Sequence, residues 1–384
     1  MKFTLSWLGR HLDHAATAPA IAEKLTALGL EVEEVVDRSA ALSPFVVGEV
    51  LSCVPHPQAE KLKVCVVDNG TAKVQVVCGA PNARAGMKGV FAGAGTTLPG
   101  TGLVLKPTAI RGVDSRGMLC SEREMGLSQE HDGIIDLPAG AKVGQPFASA
   151  LGLDDPLFVL KVTPNRGDCL GVRGIARDLA ASGFGRLKPL DTTPVKGGYA
   201  SPIKVELRFA ADKEDACPLF IGRYLRGVKN GGSPLWLRRL LEAIGLRPIS
   251  ALVDVTNFIT YDLGRQLHVF DADTIAGGIH ARLGRPGERI LTLDGKDYEL
   301  DAEICAICDD DGVLGLGGVM GGLASGCTPE TTNVFVEAAL FDPRRTAATG
   351  RRLGIQSDAR YRFERGVDPA YSASTMRFLI PVTS

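Results

Sequence analysis

The sequence predicts a multidomain α+β protein, and three observations carry that expectation. The chain has 384 residues, enough for two to four domains at roughly 100–200 residues each. From Phe45 to about Pro146 short β-rich runs alternate with Gly, Pro and Asn turns, the texture of a small barrel or sandwich. On either side of that stretch apolar residues recur at helical spacing. Apolar residues make up 45% and charged residues 23%, an ordinary globular balance. The formal charge of −1 gives no global attraction for nucleic acid, so any RNA contact has to come from local patches. No run approaches the ~20 apolar residues of a bilayer span, and no leader-like core follows Met1. A cytoplasmic protein is expected. Nine cysteines, an odd number set in apolar surroundings, suit reduced thiols. Cys305 and Cys308 have CxxC spacing, but without a second pair or a nearby His they read as core packing.

Taken in order, residues 1–39 begin as an extended segment. A helix then starts at Thr17 with Pro19 just inside it, carries Ile21, Leu25 and Leu28, and stops at Gly29. Glu31 to Val36 reads as a strand. The β-rich runs are Val46–Leu51, Val64–Val67, Val74–Val77 and Gly89–Phe91. After Val162-Thr-Pro-Asn-Arg-Gly-Asp168 a helix is expected over Val172 to Ala181, and a Pro/Gly-containing linker from Lys188 to Pro202. Residues 203–375 read as mixed α/β, with a helix N-capped by Ser233, Pro234 at its first position, and Gly245 ending it.

Several residues could carry chemistry. Leu252-Val-Asp-Val-Thr-Asn-Phe258 reads as a strand-like run delivering the Thr256 hydroxyl and Asn257 carboxamide, and a Gly264-Arg-Gln turn brings back His268. Thr256 and Asn257 could hold a water or an ester oxygen, or simply mark a strand-to-turn transition. His268, between apolar neighbours, reads equally as a core histidine. Glu337 stands alone in Val334-Phe-Val-Glu-Ala-Ala339, where burial is costly unless a partner is gained. That partner is either a hydroxyl-bearing ligand or Arg344 or Arg345. The turn Gly315–Gly322 fails the dinucleotide fingerprint, because Met320 fills the third-glycine slot. Its glycines allow close backbone approach to a ligand, or a plain hairpin. Seven arginines between Arg344 and Arg365 suit phosphate contact or a salt-bridged face. In the β-rich segment the phosphate candidates are Lys61, Lys63, Arg111, Arg116 and Arg123. Residues 40–150 nevertheless hold ten Lys/Arg against nine Asp/Glu and few aromatics, so RNA contact there should be weak and salt-sensitive. Signatures of nucleophilic or metal-dependent hydrolysis are missing.

Together these motifs resemble the bacterial phenylalanyl-tRNA synthetase β-subunit family. His56-Pro-Gln-Ala-Glu-Lys-Leu-Lys63, Cys78-Gly-Ala-Pro-Asn82 and Ile110–Glu122 are similar to the OB-fold tRNA-binding module of several synthetases. The LVDVTN–His268 segment, the glycine turn, Glu337 and Ser357-Asp-Ala359 before Arg360-Tyr-Arg-Phe-Glu-Arg-Gly366 resemble the family's editing domain. The resemblance implies a split small helical, winged-helix-like domain (residues 1–39 and 152–190) and an inserted OB-fold β-barrel (40–151). It further implies a mixed α/β editing domain (200–375), with 376–384 the start of a C-terminal half. It makes Thr256, Asn257 and His268 catalytic, and gives the editing pocket Glu337, Gly317, Gly318, Ser357 and Ala359. The implied activity is hydrolysis of mischarged tyrosyl-tRNA(Phe), needed because a phenylalanine pocket cannot strongly reject a ring that merely adds a hydroxyl. Partners would be tRNA(Phe), tyrosine or its mischarged ester, and an α subunit in a heterotetramer of two α and two β chains; neither DNA nor a membrane is implied. No cofactor is expected in this segment, ATP and Mg2+ being bound outside residues 1–384. Gln266 stands where the family has proline, Val269 and Gly317 where it has alanine, and Arg360 where it has serine. These departures support the alternative, a non-catalytic RNA-binding scaffold with a decayed pocket.

Overall fold

The computed structural model describes the chain except for residues 38, 194–195 and 371–384, so the expected start of a further half at 376–384 lies outside the described residues. Contacts divide the chain into two units, one of Met1–Val35 with the chain from Leu157 onward, the other of Val36–Pro156.

In the first unit β1 (Lys2–Thr4) runs directly into α1 (Leu5–His11), capped by the Thr4 hydroxyl, which accepts from the Trp7 amide. The extended start read from the sequence therefore contains a helix. Its seven residues bury only Trp7, Leu8 and His11, too few turns to show a period. α2 (Ala18–Ala27) follows Thr17, buries Ile21 and Leu25, and gives way to Gly29 at φ +82, the left-handed turn only glycine takes easily. β2 (Glu31–Val36) closes this stretch.

The second unit rests on β3 (Val46–His56), β4 (Ala59–Asp68), β5 (Lys73–Cys78), β6 (Lys88–Gly93) and β7 (Gly117–Leu119). These form one antiparallel sheet in the order β7-β6-β3-β4-β5. Its far edges approach each other. The Arg116 amide donates to Gln75 O at 3.0 Å, the Gln75 carboxamide to Asp114 O at 2.8 Å, and the Val77 amide to the Ser115 hydroxyl at 3.1 Å. A five-stranded sheet nearly closed on itself fits an OB-fold. Val50, Cys65, Val67, Val76, Phe91 and Leu119 pack within one of its apolar clusters.

Back in the first unit, β8 (Leu157–Lys161) pairs antiparallel with β1 and has β2 at its other edge. Next come α3 (Val172–Ala181), β9 (Val205–Leu207), β10 (Leu219–Arg226), α4 (Leu235–Ala243) and α5 (Ala251–Leu263). Pro234 occupies the N-cap of α4, and Ser233, expected there, instead gives its hydroxyl to buried Asp254. The larger correction is α5. Leu252–Phe258, read as strand-like, is helical, because Leu252, Val255, Phe258, Ile259 and Leu263 are buried at the 3–4-residue spacing of one helix face. Its β-branched content suggested a strand, but the period decides.

β11 (His268–Asp271), β12 (Ile279–Leu283), β13 (Cys305–Cys308), β14 (Val313–Leu316), β15 (Met320–Gly321) and β16 (Asn333–Leu340) complete two sheets. One is antiparallel in the order β10-β16-β11, the other runs β9-β12-β13-β14-β15. Helices α6 (Pro343–Leu353) and α7 (Asp358–Phe363) follow. Phe3, Trp7, Phe158, Ile175 and Phe258 share one core cluster; Phe270, Phe335, Phe341 and Phe363 share another. The two CxxC thiols on β13 pack into different clusters, Cys305 with Phe341 and Cys308 with Leu316, as opposite faces of a strand require. Among the described residues no helix is long and apolar enough to cross a membrane.

Candidate functional site

The end of α5 is fixed first. Buried Asp262 accepts from Trp7 Nε1 at 2.7 Å and lies 2.6 Å from His11 Nε2. Gly264, at φ +69, then reverses the chain, and four residues later β11 begins with His268. Across the three-stranded sheet, Glu337 of β16 is in register with His268 on one side and Gly222 on the other. Directly opposed residues of an antiparallel pair project from the same face, so the acid and the imidazole share one surface.

That surface floors a cleft enclosing about 450 Å³ of empty space, its open mouth included. Gln266, His268, Glu337, the Gly315–Gly321 turn, Phe341 and Ala359 line it, giving an apolar enclosure with a few convergent polar groups. Close packing sets the turn. A Cβ on Gly321 would lie 2.3 Å from His268 Cε1, and one on Gly317 would lie 2.8 Å from the Phe341 ring. Gly318 has φ +72. The Ser357 hydroxyl donates to Val319 O at 2.6 Å while capping α7, so it latches the turn from behind.

The electrostatics follow from burial. Glu337 is 7% exposed, and desolvation pushes its carboxyl up to about 8 against the pull of the Arg265 charge. The neutral acid therefore predominates at pH 7. The Arg344 or Arg345 ion pair considered from the sequence does not form among the described residues: Arg345 bonds Glu303 at 2.8 Å. Burial alone draws the His268 imidazole down to about 4, so it is neutral. Its Nε2 is sequestered without a hydrogen-bond partner among the described residues, and its ring meets Phe270 edge-on at 4.4 Å.

The structure thus brings Glu337, His268, Gly317, Gly318 and Ala359 to one cleft. Ser357 stands behind it, and Thr256 and Asn257 are absent from its lining. Thr256 spends its hydroxyl on Val253 O at 2.8 Å, inside α5. Sequence reasoning passed over Arg265. It is 1% exposed, donates to Ala339 O two residues along β16 from Glu337, and lies 5.7 Å over the Phe363 ring. Burial lowers it to about 10, still cationic at neutral pH. Nothing local marks it in the sequence, where Arg265 sits between Gly264 and Gln266 in a turn flanked by Asp262.

Five of the seven arginines between Arg344 and Arg365 make ion pairs: Arg345 with Glu303, Arg352 with Asp301, Arg360 and Arg365 with Glu364, and Arg362 with Asp358. The salt-bridged face is the better description of those five. In the second unit Lys61, Arg111, Arg116 and Arg123 are exposed, while Lys63 Nζ is tied to Pro81 O at 2.9 Å and Ala83 O at 2.7 Å. Arg111 donates to Gln58 O at 2.9 Å, and Arg116 lies 3.7 Å from Asp114. The one metal-like cluster among the described residues is Asp168, Cys169 and Asp178. Arg166 and Arg177 already neutralise both carboxylates, and burial raises the Cys169 thiol. This is an arginine–aspartate network, ill-suited to a cation.

Comparison with known proteins agrees with this architecture. Residues 45–146 match the tRNA-binding domain family, and residues 216–382 match the B3/4 domain family. The phenylalanine–tRNA ligase beta subunit of Paramagnetospirillum magneticum is 57% identical over 376 residues, covering 98% of this chain and 47% of that protein. The corresponding subunit of Rhodospirillum rubrum is 56% identical, covering 96% and 46%; that of Mesorhizobium japonicum is 56% identical, covering 97% and 46%. The chain spans about half the length of the curated relatives it matches, and over nearly all of its own length it belongs to the family of phenylalanine–tRNA ligase β subunits.

Proposed function

We propose that this chain is the tRNA-binding and proofreading part of a phenylalanine–tRNA ligase, and that its cleft hydrolyses tyrosine mischarged onto tRNA(Phe). The observation that carries the reading is Glu337, a buried acid with no salt bridge among the described residues, lining a largely apolar cleft. A phenolic hydroxyl satisfies that carboxyl; a bare phenyl ring leaves it without a partner, which costs roughly 1–3 kcal/mol. Rejection by an unmet hydrogen bond is the strong form of discrimination.

The hydrolytic step needs little from the protein. A water oriented in the cleft beside neutral His268 attacks the ester carbonyl carbon. The bond to the ribose oxygen breaks, that oxygen takes the proton, and tyrosine and tRNA(Phe) leave. With the imidazole drawn down to about 4, His268 acts by orienting water more than by basicity. Thr256 and Asn257 are assigned no step. The near-closed barrel of Val36–Pro156 serves as an OB-fold RNA contact, and the segments around β1, β8 and α3 as a split helical domain. Phenylalanine activation, with its ATP and Mg2+, belongs to an α subunit and to sequence outside residues 1–384, in a cytoplasmic assembly of two α and two β chains.

Deacylation of tyrosyl-tRNA(Phe) by the 384-residue chain tests this reading. Wild type should release tyrosine, and Glu337→Ala and His268→Ala should each lose at least about tenfold in rate. RNA binding without any release of tyrosine would instead support a scaffold whose pocket has decayed.

A further inference from the structure

The cleft holds one polar group that neither the fold nor the proposed hydrolysis uses. Gln266 is 6% exposed and lines the cleft, yet both its Oε1 and its Nε2 are sequestered without a hydrogen-bond partner among the described residues. A buried carboxamide in that state is a standing cost to the empty protein, because buried polar groups are almost always satisfied. The free enthalpy of those two bonds is recovered only if a ligand supplies an acceptor and a donor together.

Position indicates which part of a ligand does so. Gln266 precedes His268 by two residues. Its neighbour Arg265 donates to Ala339 O, two residues beyond Glu337 on β16. Gln266 lines the same cleft as Glu337 but lies outside the strand pairing that sets His268 opposite the acid. A tyrosyl ester anchored at Glu337 through its ring has an α-amino group and an ester carbonyl left at its other end, a donor and an acceptor that match the two free atoms of the Gln266 carboxamide. Resting on the proofreading reading above, we infer that Gln266 is a substrate-binding residue of this chain, its Oε1 accepting from the α-amino group of the aminoacyl ester and its Nε2 donating to the carbonyl oxygen. The contact would also hold the carbonyl where water can reach it.

The test compares two probes by calorimetry with the 384-residue chain: tyrosine methyl ester, which has phenol, amine and ester, and 4-ethylphenol, which has only the phenol. Gln266→Met keeps the length of the side chain and removes both polar atoms. The variant should bind tyrosine methyl ester about tenfold more weakly, bind 4-ethylphenol as wild type does, and melt at a higher temperature without ligand. A purely structural residue would not give weaker binding with higher stability. Equal affinity of wild type and Gln266→Met for the methyl ester overturns the assignment and leaves the proofreading reading intact. Equal weakening of both probes overturns it as well, since the amide would then act at the ring end. If 4-ethylphenol binds wild type and Glu337→Ala alike, or binds neither, the proofreading reading falls and this assignment with it.

Discussion

His268 and Glu337 face each other across adjacent antiparallel strands, with Gly222 completing the row. The pair is unusual in its charge state. Burial holds the imidazole down at about 4 and the carboxyl up at about 8, so at pH 7 two neutral groups share the floor of the cleft. Each is thereby left as a neutral hydrogen-bonding group for something entering the cleft.

Stability against pH should report the acid. Folded Glu337 keeps its proton up to about 8 while the unfolded carboxyl loses it near 4.5. The stability it contributes is full below pH 4.5 and is lost as pH rises through 8. His268 has the opposite sense: its folded value of about 4 lies below 6.5, so its contribution is present above pH 6.5 and lost as pH falls to 4. Between pH 6.5 and 8 the loss of the Glu337 contribution should approach about 2 kcal/mol, opposed by the Met1 amino group, whose lowered value acts in the other sense. In urea unfolding, Glu337→Gln should remove that slope; an unchanged slope would show that Glu337 titrates normally.

Gly321→Ala should damage the site without unfolding the chain. The added methyl would lie 2.3 Å from His268 Cε1 and 2.8 Å from Nε2, forcing the ring or the turn to move at a cost of about 1–3 kcal/mol. Tyrosyl-tRNA(Phe) deacylation should fall at least about tenfold while circular dichroism stays as in wild type. Full activity would mean that His268 is not needed where it stands.

Ser357→Ala removes both the latch to Val319 O and the cap of α7. Thermal or chemical unfolding should show a loss of about 1–2 kcal/mol, and hydrolysis should slow as the glycine turn loosens. Retention of stability would place no weight on the latch.

In the second unit the lysines should separate by partner. Lys61 is exposed with no ion pair among the described residues, whereas Lys63 holds two backbone carbonyls. Lys61→Ala and Arg123→Ala should each reduce the salt dependence of tRNA binding by about one unit of log–log slope. Lys63→Ala should instead lower the melting temperature, and a salt effect from it alone would reverse the ranking.

The sequence was most legible where local pattern and tertiary context agree. The strands of the β-rich segment alternate and are separated by turns, so Val46, Val64, Val74 and Val90 fell on strands. α3 was bounded to the residue, because its apolar positions Val172, Ile175, Ala176 and Leu179 repeat at helical spacing. α5 was misread because Val253, Val255, Thr256 and Ile259 are β-branched, a propensity that packing against Trp7 and Trp236 outweighs. Glu337 and His268 could be picked out singly, since each is a polar residue in an apolar run. Their opposition could not, because strand register depends on partners about 70 residues apart in sequence. Nor could the burial of Arg265, whose carbonyl acceptor belongs to β16.

The most direct measurement is a crystal structure of the chain with tyrosine bound. The phenolic oxygen should lie about 2.6–3.0 Å from a Glu337 carboxyl oxygen, with the ring between the glycine turn and Phe341 and the amino-acid end towards Gln266. Tyrosine bound elsewhere, or seated with its hydroxyl away from Glu337, would contradict the account.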